Sequence, residues 1–246
     1  KDQVLYYRED KAGQILQEGI NEAGGMSSWI AAATSYSTSN RIMVPFYVYY
    51  SMFGFQRIGD LAWAAGDMQA RGFLLGGTSG RTTLNGEGLQ HEDGHSHILA
   101  GTIPNCISYD PTFAHEVGVI LHHGLKRMVE KQENVFYYLT LLNENYSMPG
   151  LTAGTEEQII KGMYLSKAGN GQGLQVNLLG SGTILRESFA AQTLLAQDFG
   201  ISANVWSCPS FNELARDGQA TERHNLLHPL ETPHKSFVEQ QLSSHA

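Results

Sequence analysis

The feature that most constrains the fold is a period of apolar residues that alternates along the chain between two and about 3.6. Residues 44–50, 73–76, 103–108 and 135–142 are short apolar runs bounded by Gly, Pro or Asn, as expected of buried strands. Residues 53–70 have helical spacing between the first two runs. Because near-continuous apolar strands separated by helices are typical of parallel sheets, we predict an α/β fold with a parallel sheet flanked by helices.

The sequence also predicts a boundary between two units. A helix should follow the third strand, with Asp110 as its cap and Pro111 in its first turn. Residues 148–173 are rich in helix and strand breakers, so we predict a first domain over residues 1–150 and a linker over 151–173. A second α/β unit over 174–246 contains a strand, a helix and another strand, which are too few strands to complete a sheet.

Charge and length exclude several classes of protein. The 246 residues carry a net charge of −8 without a Lys/Arg run, which disfavours nucleic-acid binding. Apolar runs are much shorter than the roughly 20 residues that cross a bilayer, so no membrane association is predicted. Two distant cysteines fit a reducing compartment. Charged residues are 16% of the chain, below the usual figure of about 25%, and this predicts either extensive burial against partners or a chain that is the inner part of something larger.

A Gly- and His-rich segment over residues 76–97 is the strongest candidate for chemistry. Glycines allow close backbone approach to a ligand, and His with Glu supplies acid–base groups near neutral pH. Residues 91–95 match HExxH, which binds zinc when both histidines share one helix face. An Asp-Gly pair inside the motif disfavours a helix, but a zinc hydrolase and a plain polar loop both remain open.

Three residues outside that segment also have alternative interpretations. Glu22 lies among the small or apolar residues Ile20, Ala23 and Gly24, which predicts a carboxylate without polar partners, or else an exposed acid in a helix's first turn. Tyr50 and Phe53 are aromatic residues of a type found more often in a core than in a ligand site.

Several longer strings carry a resemblance to a known family. They are GINEAG at residues 19–24, YYSMFGFQR at 49–57, the segment 81–97, LNENY at 142–146 and ELARDGQATERHNLLHPLETP at 213–233. With these strings the chain resembles the homodimeric bacterial pyruvate dehydrogenases, which belong to the transketolase-like thiamine-diphosphate enzymes. The resemblance covers essentially the whole chain. It implies most of a pyrimidine-binding middle domain, without its N-terminal part, and an incomplete C-terminal domain of transketolase type.

The resemblance also implies roles for particular residues. Glu22 would hydrogen-bond the cofactor's aminopyrimidine ring and assist its proton transfer. Phe53 would stack on that ring and Tyr50 would line the same pocket. His91 would be the active-site histidine, with Glu87 close to it, while His95 and His97 would shape the loop.

The implied cofactors are thiamine diphosphate and Mg²⁺, and the implied reaction is oxidative decarboxylation of pyruvate with acetylation of a lipoyl group. Implied partners are a second copy of the subunit and a dihydrolipoyl acetyltransferase, in the cytoplasm. No GDG string for the diphosphate and Mg²⁺ occurs here, so their ligands are expected outside this segment, which alone should be inactive. Another thiamine-dependent enzyme such as a transketolase, or a non-catalytic assembly domain, remains an alternative.

Overall fold

The computed structural model describes residues 10–77, 88, 91–142 and 144–243. Two sheets organise them. Strands β1 to β4 form a parallel sheet in the order β1-β2-β4-β3, and their bounds are Phe46–Tyr50, Phe73–Gly77, Cys106–Tyr109 and Phe136–Thr140. The predicted parallel sheet and its four strands are confirmed.

Helices occupy the connections. The first six are α1 Glu22–Ala33, α2 Ser35–Thr38, α3 Ser51–Asp67, α4 Ser96–Gly101, α5 Ala114–Leu125, which continues into a π-helical turn at Lys126–Glu130, and α6 Glu156–Lys161. The remaining helices are α7 Ile184–Phe199, α8 Phe211–Leu227 and α9 Phe237–Ser243. In the described residues no helix is long and apolar enough to cross a membrane.

The first sheet separates two apolar clusters. Successive side chains of a strand point to opposite faces, so Leu74 and Tyr138 join the cluster under α1, α3 and α4, whereas Phe73 and Tyr137 join the cluster under α5 and α6. All four are fully buried. At the edge strand β1, no described residue fully covers the second face, because Phe46 is 50% exposed and Val48 is 63% exposed. Within the part of the chain that the structure describes, the predicted coverage of both faces therefore does not extend to β1.

The start of α5 differs from the prediction. Its N-cap is Phe113, and the helix begins at Ala114. The Glu116 side chain turns back to accept hydrogen bonds from the backbone N–H groups of Thr112 (2.5 Å) and Phe113 (3.0 Å), which directly precede the first residue of the helix. Asp110 is not the cap, since its carboxylate lies at the contact with the second sheet.

The second sheet has the order β5-β7-β6, with strands β5 Tyr164–Lys167, β6 Gln175–Gly180 and β7 Ser202–Ser207. β6 and β7 are parallel and are connected by α7, which confirms the predicted strand–helix–strand unit. β5 pairs antiparallel with β7. It lies within residues 151–173, which were predicted as linker. The strand was missed because it spans only four residues and ends in polar Ser166 and Lys167.

Glu116 joins the two sheets. Its side chain is fully buried, and besides the two backbone groups it accepts hydrogen bonds from Tyr164 Oη at 2.8 Å and Ser207 Oγ at 2.6 Å. Tyr164 belongs to β5 and Ser207 to β7. Four donors therefore compensate the desolvation of one carboxylate, and they connect the first sheet's α5 to the second sheet.

Substitution of Glu116 by Ala should lower the free energy of unfolding by about 3 kcal/mol or more, because four buried donors lose their acceptor at once. Glu157→Ala, at an exposed position of α6, is the matched control and should leave the unfolding midpoint unchanged. Urea denaturation followed by circular dichroism measures both. Equal midpoints for the two variants would show that Glu116 does not hold the sheets together.

Candidate functional site

The candidate site lies where the parallel strands end. Tyr50 is the last residue of β1, Gly77 of β2 and Thr140 of β4, so all three lie at the carboxyl edge of the first sheet. In open parallel sheets this edge is the usual position of ligand-binding crevices. Gly76 is needed there, because a Cβ would lie 2.6 Å from Tyr138 Oη and 2.7 Å from Ser51 Cβ.

Glu22 is the first residue of α1, which Asn21 caps by accepting a hydrogen bond from the Gly24 N–H at 3.0 Å. The Glu22 side chain is 15% exposed and forms an ion pair with Arg57, with Oε1 and Nη1 2.9 Å apart. The predicted apolar surroundings are wrong, since Ile20 is 97% exposed. Among the described residues, Glu22 is therefore a largely buried acid that is paired with Arg57.

Arg57 also contacts an aromatic ring. Its guanidinium carbon lies 4.4 Å from the centre of the Phe53 ring, one helical turn earlier on α3. Residues at i and i+4 of a helix share one face, so Phe53 and Arg57 lie on the same face of α3. Arg57 thus connects the Glu22 carboxylate to the aromatic group described next.

Tyr50, Phe53 and His91 form a cluster of three rings. The ring centres of Tyr50 and Phe53 are 5.2 Å apart, those of Tyr50 and His91 are 5.4 Å apart, and those of Phe53 and His91 are 5.0 Å apart. The imidazole meets both aromatic rings edge-on. Tyr50 is 51% exposed, so it is not a core residue. The structure thus brings Glu22, Tyr50, Phe53 and His91 into one surface.

Glu87, the fifth residue predicted for the site, lies outside the described residues. His95 is exposed, and His97 is half-buried with Nε2 2.9 Å from Thr140 Oγ1.

The segment that carries His91 is not helical. Residues 91–95 form turns and bends, and α4 begins only at Ser96. The two histidines of the HExxH string therefore do not share a helix face, as the Asp-Gly pair predicted. Over the part of the chain that the structure describes, no group of three or more His, Cys, Asp or Glu side chains is arranged to hold a metal ion.

Asp93 holds this segment in place. Its buried carboxylate accepts hydrogen bonds from the backbone N–H groups of His95 (3.1 Å) and Ser96 (3.0 Å) and from Ser96 Oγ (2.5 Å). Burial opposes ionisation, but hydrogen bonds from Ser96 and Ser51 and the charge of His97 outweigh it, so the pKa of Asp93 is below its ordinary value. Asp93 therefore accepts these hydrogen bonds as an ionised carboxylate.

Sequence reasoning missed Arg57, Asp93, Asp110 and Thr140. Arg57 could have been found, since it follows Phe53 by four positions on a predicted helix. Asp110 follows the predicted strand 103–108 and Thr140 lies near the end of the predicted strand 135–142, where the strand-end rule for parallel sheets would have suggested them. No pattern in the sequence indicates which donors Asp93 meets.

Comparison with known proteins decides the family. Residues 1–149 match the family described as the pyruvate dehydrogenase E1 component middle domain, and residues 162–245 match the transketolase-like C-terminal domain. The chain belongs to the pyruvate dehydrogenase E1 family. The second match includes β5, in agreement with its place in the second sheet.

The relatives with high identity are named pyruvate dehydrogenase E1 component. The chain is 66% identical to those of Pseudomonas aeruginosa and Escherichia coli over 241 residues, and 62% identical to that of Cupriavidus necator over 245 residues. These matches cover 98–99% of the chain but 27% of each relative, so the chain spans about a quarter of their length.

Solved structures of transketolases share the fold. One from Pichia stipitis has a TM-score of 0.56 at 15% identity, covering 74% of this chain and 25% of that one. One from Leishmania mexicana has a TM-score of 0.56 at 14% identity, covering 71% and 24%. At this identity the likeness shows the α/β fold of the E1 segment.

The Asp93 hydrogen bonds predict a pH-dependent stability difference. Because the folded pKa of Asp93 is lowered, its contribution is present above the unfolded pKa of about 4 and is lost as pH falls through the folded value. Asp93→Asn should therefore lower the free energy of unfolding by about 1–2 kcal/mol near pH 7, with a smaller difference below pH about 4.

Denaturant unfolding at several pH values measures this difference. Asp60→Asn, on an exposed position of α3, is the control and should show no such trend. A difference for Asp93→Asn that stays constant from pH 7 to pH 3 would contradict the assignment of Asp93 as a stabilised carboxylate.

Proposed function

We propose that this chain is part of a thiamine-diphosphate- and Mg²⁺-dependent pyruvate dehydrogenase, and that it contributes the aminopyrimidine side of the active site. The whole enzyme would decarboxylate pyruvate in the cytoplasm and transfer the acetyl unit to a lipoyl group of a dihydrolipoyl acetyltransferase. The observation that carries the proposal is the single surface formed by Glu22, Tyr50, Phe53 and His91 in a chain of the E1 family.

The chemistry of this surface fits a flat heteroaromatic ring with polar edges. Phe53 and the half-exposed Tyr50 offer aromatic faces and edges, and Glu22 supplies an acceptor beside them. Stacking on an aromatic ring contributes about 0.5–1.5 kcal/mol beyond the buried area. We propose that Phe53 stacks on the pyrimidine and that Tyr50 lines its pocket. Bound thiamine diphosphate would supply the electron sink that decarboxylation requires.

Glu22 would hold or pass a proton at the pyrimidine. Its Oε1 is paired with Arg57, and a carboxylate has acceptor sites on both oxygens. Glu22 can therefore accept a hydrogen bond from a ring N–H while it keeps its ion pair. Arg57 would then orient the carboxylate and limit the positions it can take.

His91 would act on the substrate side. Both neighbouring rings contact its imidazole edge-on, which limits the orientations available to it. From there the imidazole could donate to the carboxylate of pyruvate or to an oxygen that gains charge during decarboxylation. Glu87 is proposed to set the orientation and charge of His91.

The diphosphate and Mg²⁺ ligands are proposed to lie in another part of the protein, because this sequence contains no GDG string and spans 27% of its relatives. A second copy of the subunit is the proposed partner across the site. One face of β1 supports this, since among the described residues Phe46, Val48 and Tyr50 are each half-exposed or more and lie on the same face of the strand that ends at the site.

A transketolase reaction is the second candidate, because solved transketolases share this fold. Turnover of the full-length subunit with pyruvate, compared with turnover of a sugar phosphate, separates the two reactions. Activity with the sugar phosphate alone would overturn the pyruvate dehydrogenase proposal.

Substitution of His91 by Ala in the full-length subunit should lower kcat by about 100-fold or more, because a positioned proton donor is lost. The Kd for thiamine diphosphate should change by less than about threefold, since Glu22 and Phe53 remain. Steady-state assays with pyruvate and titration calorimetry measure the two quantities.

His95→Ala is the matched control. His95 belongs to the same segment but its side chain is exposed, so the variant should keep a kcat near that of the unaltered subunit. Equal kcat values for the His91 and His95 variants would sink the role proposed for His91.

A further inference from the structure

A line of polar side chains crosses from the second sheet to the segment that carries His91. Ser181 Oγ donates to Asp110 Oδ2 at 2.9 Å, Thr140 Oγ1 donates to Asp110 Oδ1 at 2.6 Å, and His97 Nε2 lies 2.9 Å from Thr140 Oγ1. Asp110, Thr140 and Ser181 are buried, and His97 is half-buried. The line begins at the turn after β6 and ends in α4.

Counting protons fixes the tautomer of His97. Thr140 has one hydroxyl hydrogen, and the nearer of its two acceptors is the Asp110 carboxylate, because the Tyr109 carbonyl is 3.5 Å away. The hydroxyl oxygen must therefore accept from His97, so His97 Nε2 carries a hydrogen. In neutral His97 the basic nitrogen is then Nδ1.

The second sheet sets the position of Asp110. The Asp110 N–H donates to the Pro209 carbonyl at 2.7 Å, and its carbonyl accepts from the Gly182 N–H at 3.1 Å. Gly182 has φ of +52°, and a Cβ there would lie 2.8 Å from Asp110 Oδ2. These contacts and the Ser181 hydroxyl all come from the second α/β unit, and together they fix the position of the Asp110 carboxylate.

The other end of the line reaches His91 through Asp93. Asp93 accepts hydrogen bonds from the N–H groups of His95 and Ser96, the two residues that directly precede His97 in the chain. The His97 ring packs against Tyr138, with centres 5.2 Å apart, so it has little freedom to turn. Movement of His97 would therefore disturb the segment that places His91 against Phe53.

We propose that Asp110 and Thr140 are positioning residues: they fix the orientation and tautomer of His97, and through it the second sheet sets the position of His91. The inference rests on the function proposed for His91 above. It assigns the contact between the two sheets a part in the reaction, beyond holding the chain together.

Two substitutions of Thr140 in the full-length subunit test the proposal. Thr140→Val keeps the shape but removes the hydroxyl, so it should lower kcat by about 10-fold or more, with KM for pyruvate within about threefold. Thr140→Ser keeps the hydroxyl but loses the methyl group, so its kcat should stay within about threefold of the unaltered subunit. A packing role predicts the opposite order, because Val fills the space and Ser does not.

A third variant and the His91→Ala control separate the remaining outcomes. Ser181→Ala removes one hydrogen bond to Asp110 and should lower kcat in the same direction by about threefold, so it serves if Thr140→Val does not fold. The proposal is overturned if Thr140→Val has the same kcat as the unaltered subunit, or if the kcat of Thr140→Ser is as low as that of Thr140→Val. If only Ser181→Ala can be tested, an unchanged kcat overturns the proposal. If His91→Ala is also fully active, the function proposed for His91 fails; if His91→Ala is inactive, only this inference fails.

Discussion

Parallel pairing of β1 with β2, and of β4 with both β2 and β3, is the constraint on which the site depends. Because the paired strands run in one direction, their last residues reach the same edge of the sheet. Between one strand and the next, the chain must cross back to the opposite edge through a long connection. Tyr50, Thr140 and Asp110 come from distant parts of the sequence and lie at that edge for this reason. The edge gathers the groups, and the segments that follow the strands determine how they are oriented.

Buried carboxylates control that orientation. Glu116, Asp93 and Asp110 are each buried, and each accepts hydrogen bonds from hydroxyl groups, with backbone N–H groups added for Glu116 and Asp93. Hydroxyl and backbone N–H donors compensate the burial of these carboxylates, so the three acids hold the segments that donate to them, whereas Glu22 is paired with Arg57. Buried carboxylates thus hold backbone segments through hydrogen bonds, whereas the carboxylate proposed to act on the cofactor, that of Glu22, is paired with an arginine.

The strand and helix pattern was predictable because apolar periodicity reports burial directly. It located β1 to β4, α3 and the β6–α7–β7 unit, and it failed at β5, whose polar end hides a paired strand. At the site, family strings were needed to select Glu22, Tyr50, Phe53 and His91, since a Glu or an aromatic residue alone suits several environments. The partners of these residues, such as Arg57 and Thr140, depend on distances between elements that no local pattern encodes.

The central claim is that Glu22, Tyr50, Phe53 and His91 form one side of a thiamine-diphosphate site. The most direct measurement is a crystal structure of the full-length subunit with thiamine diphosphate and Mg²⁺. The claim predicts that a pyrimidine nitrogen lies about 2.6–3.2 Å from the Glu22 carboxylate, with the ring centre about 4.5–7 Å from that of Phe53. A pyrimidine bound at another place, with Glu22 still engaged by Arg57 alone, would contradict it.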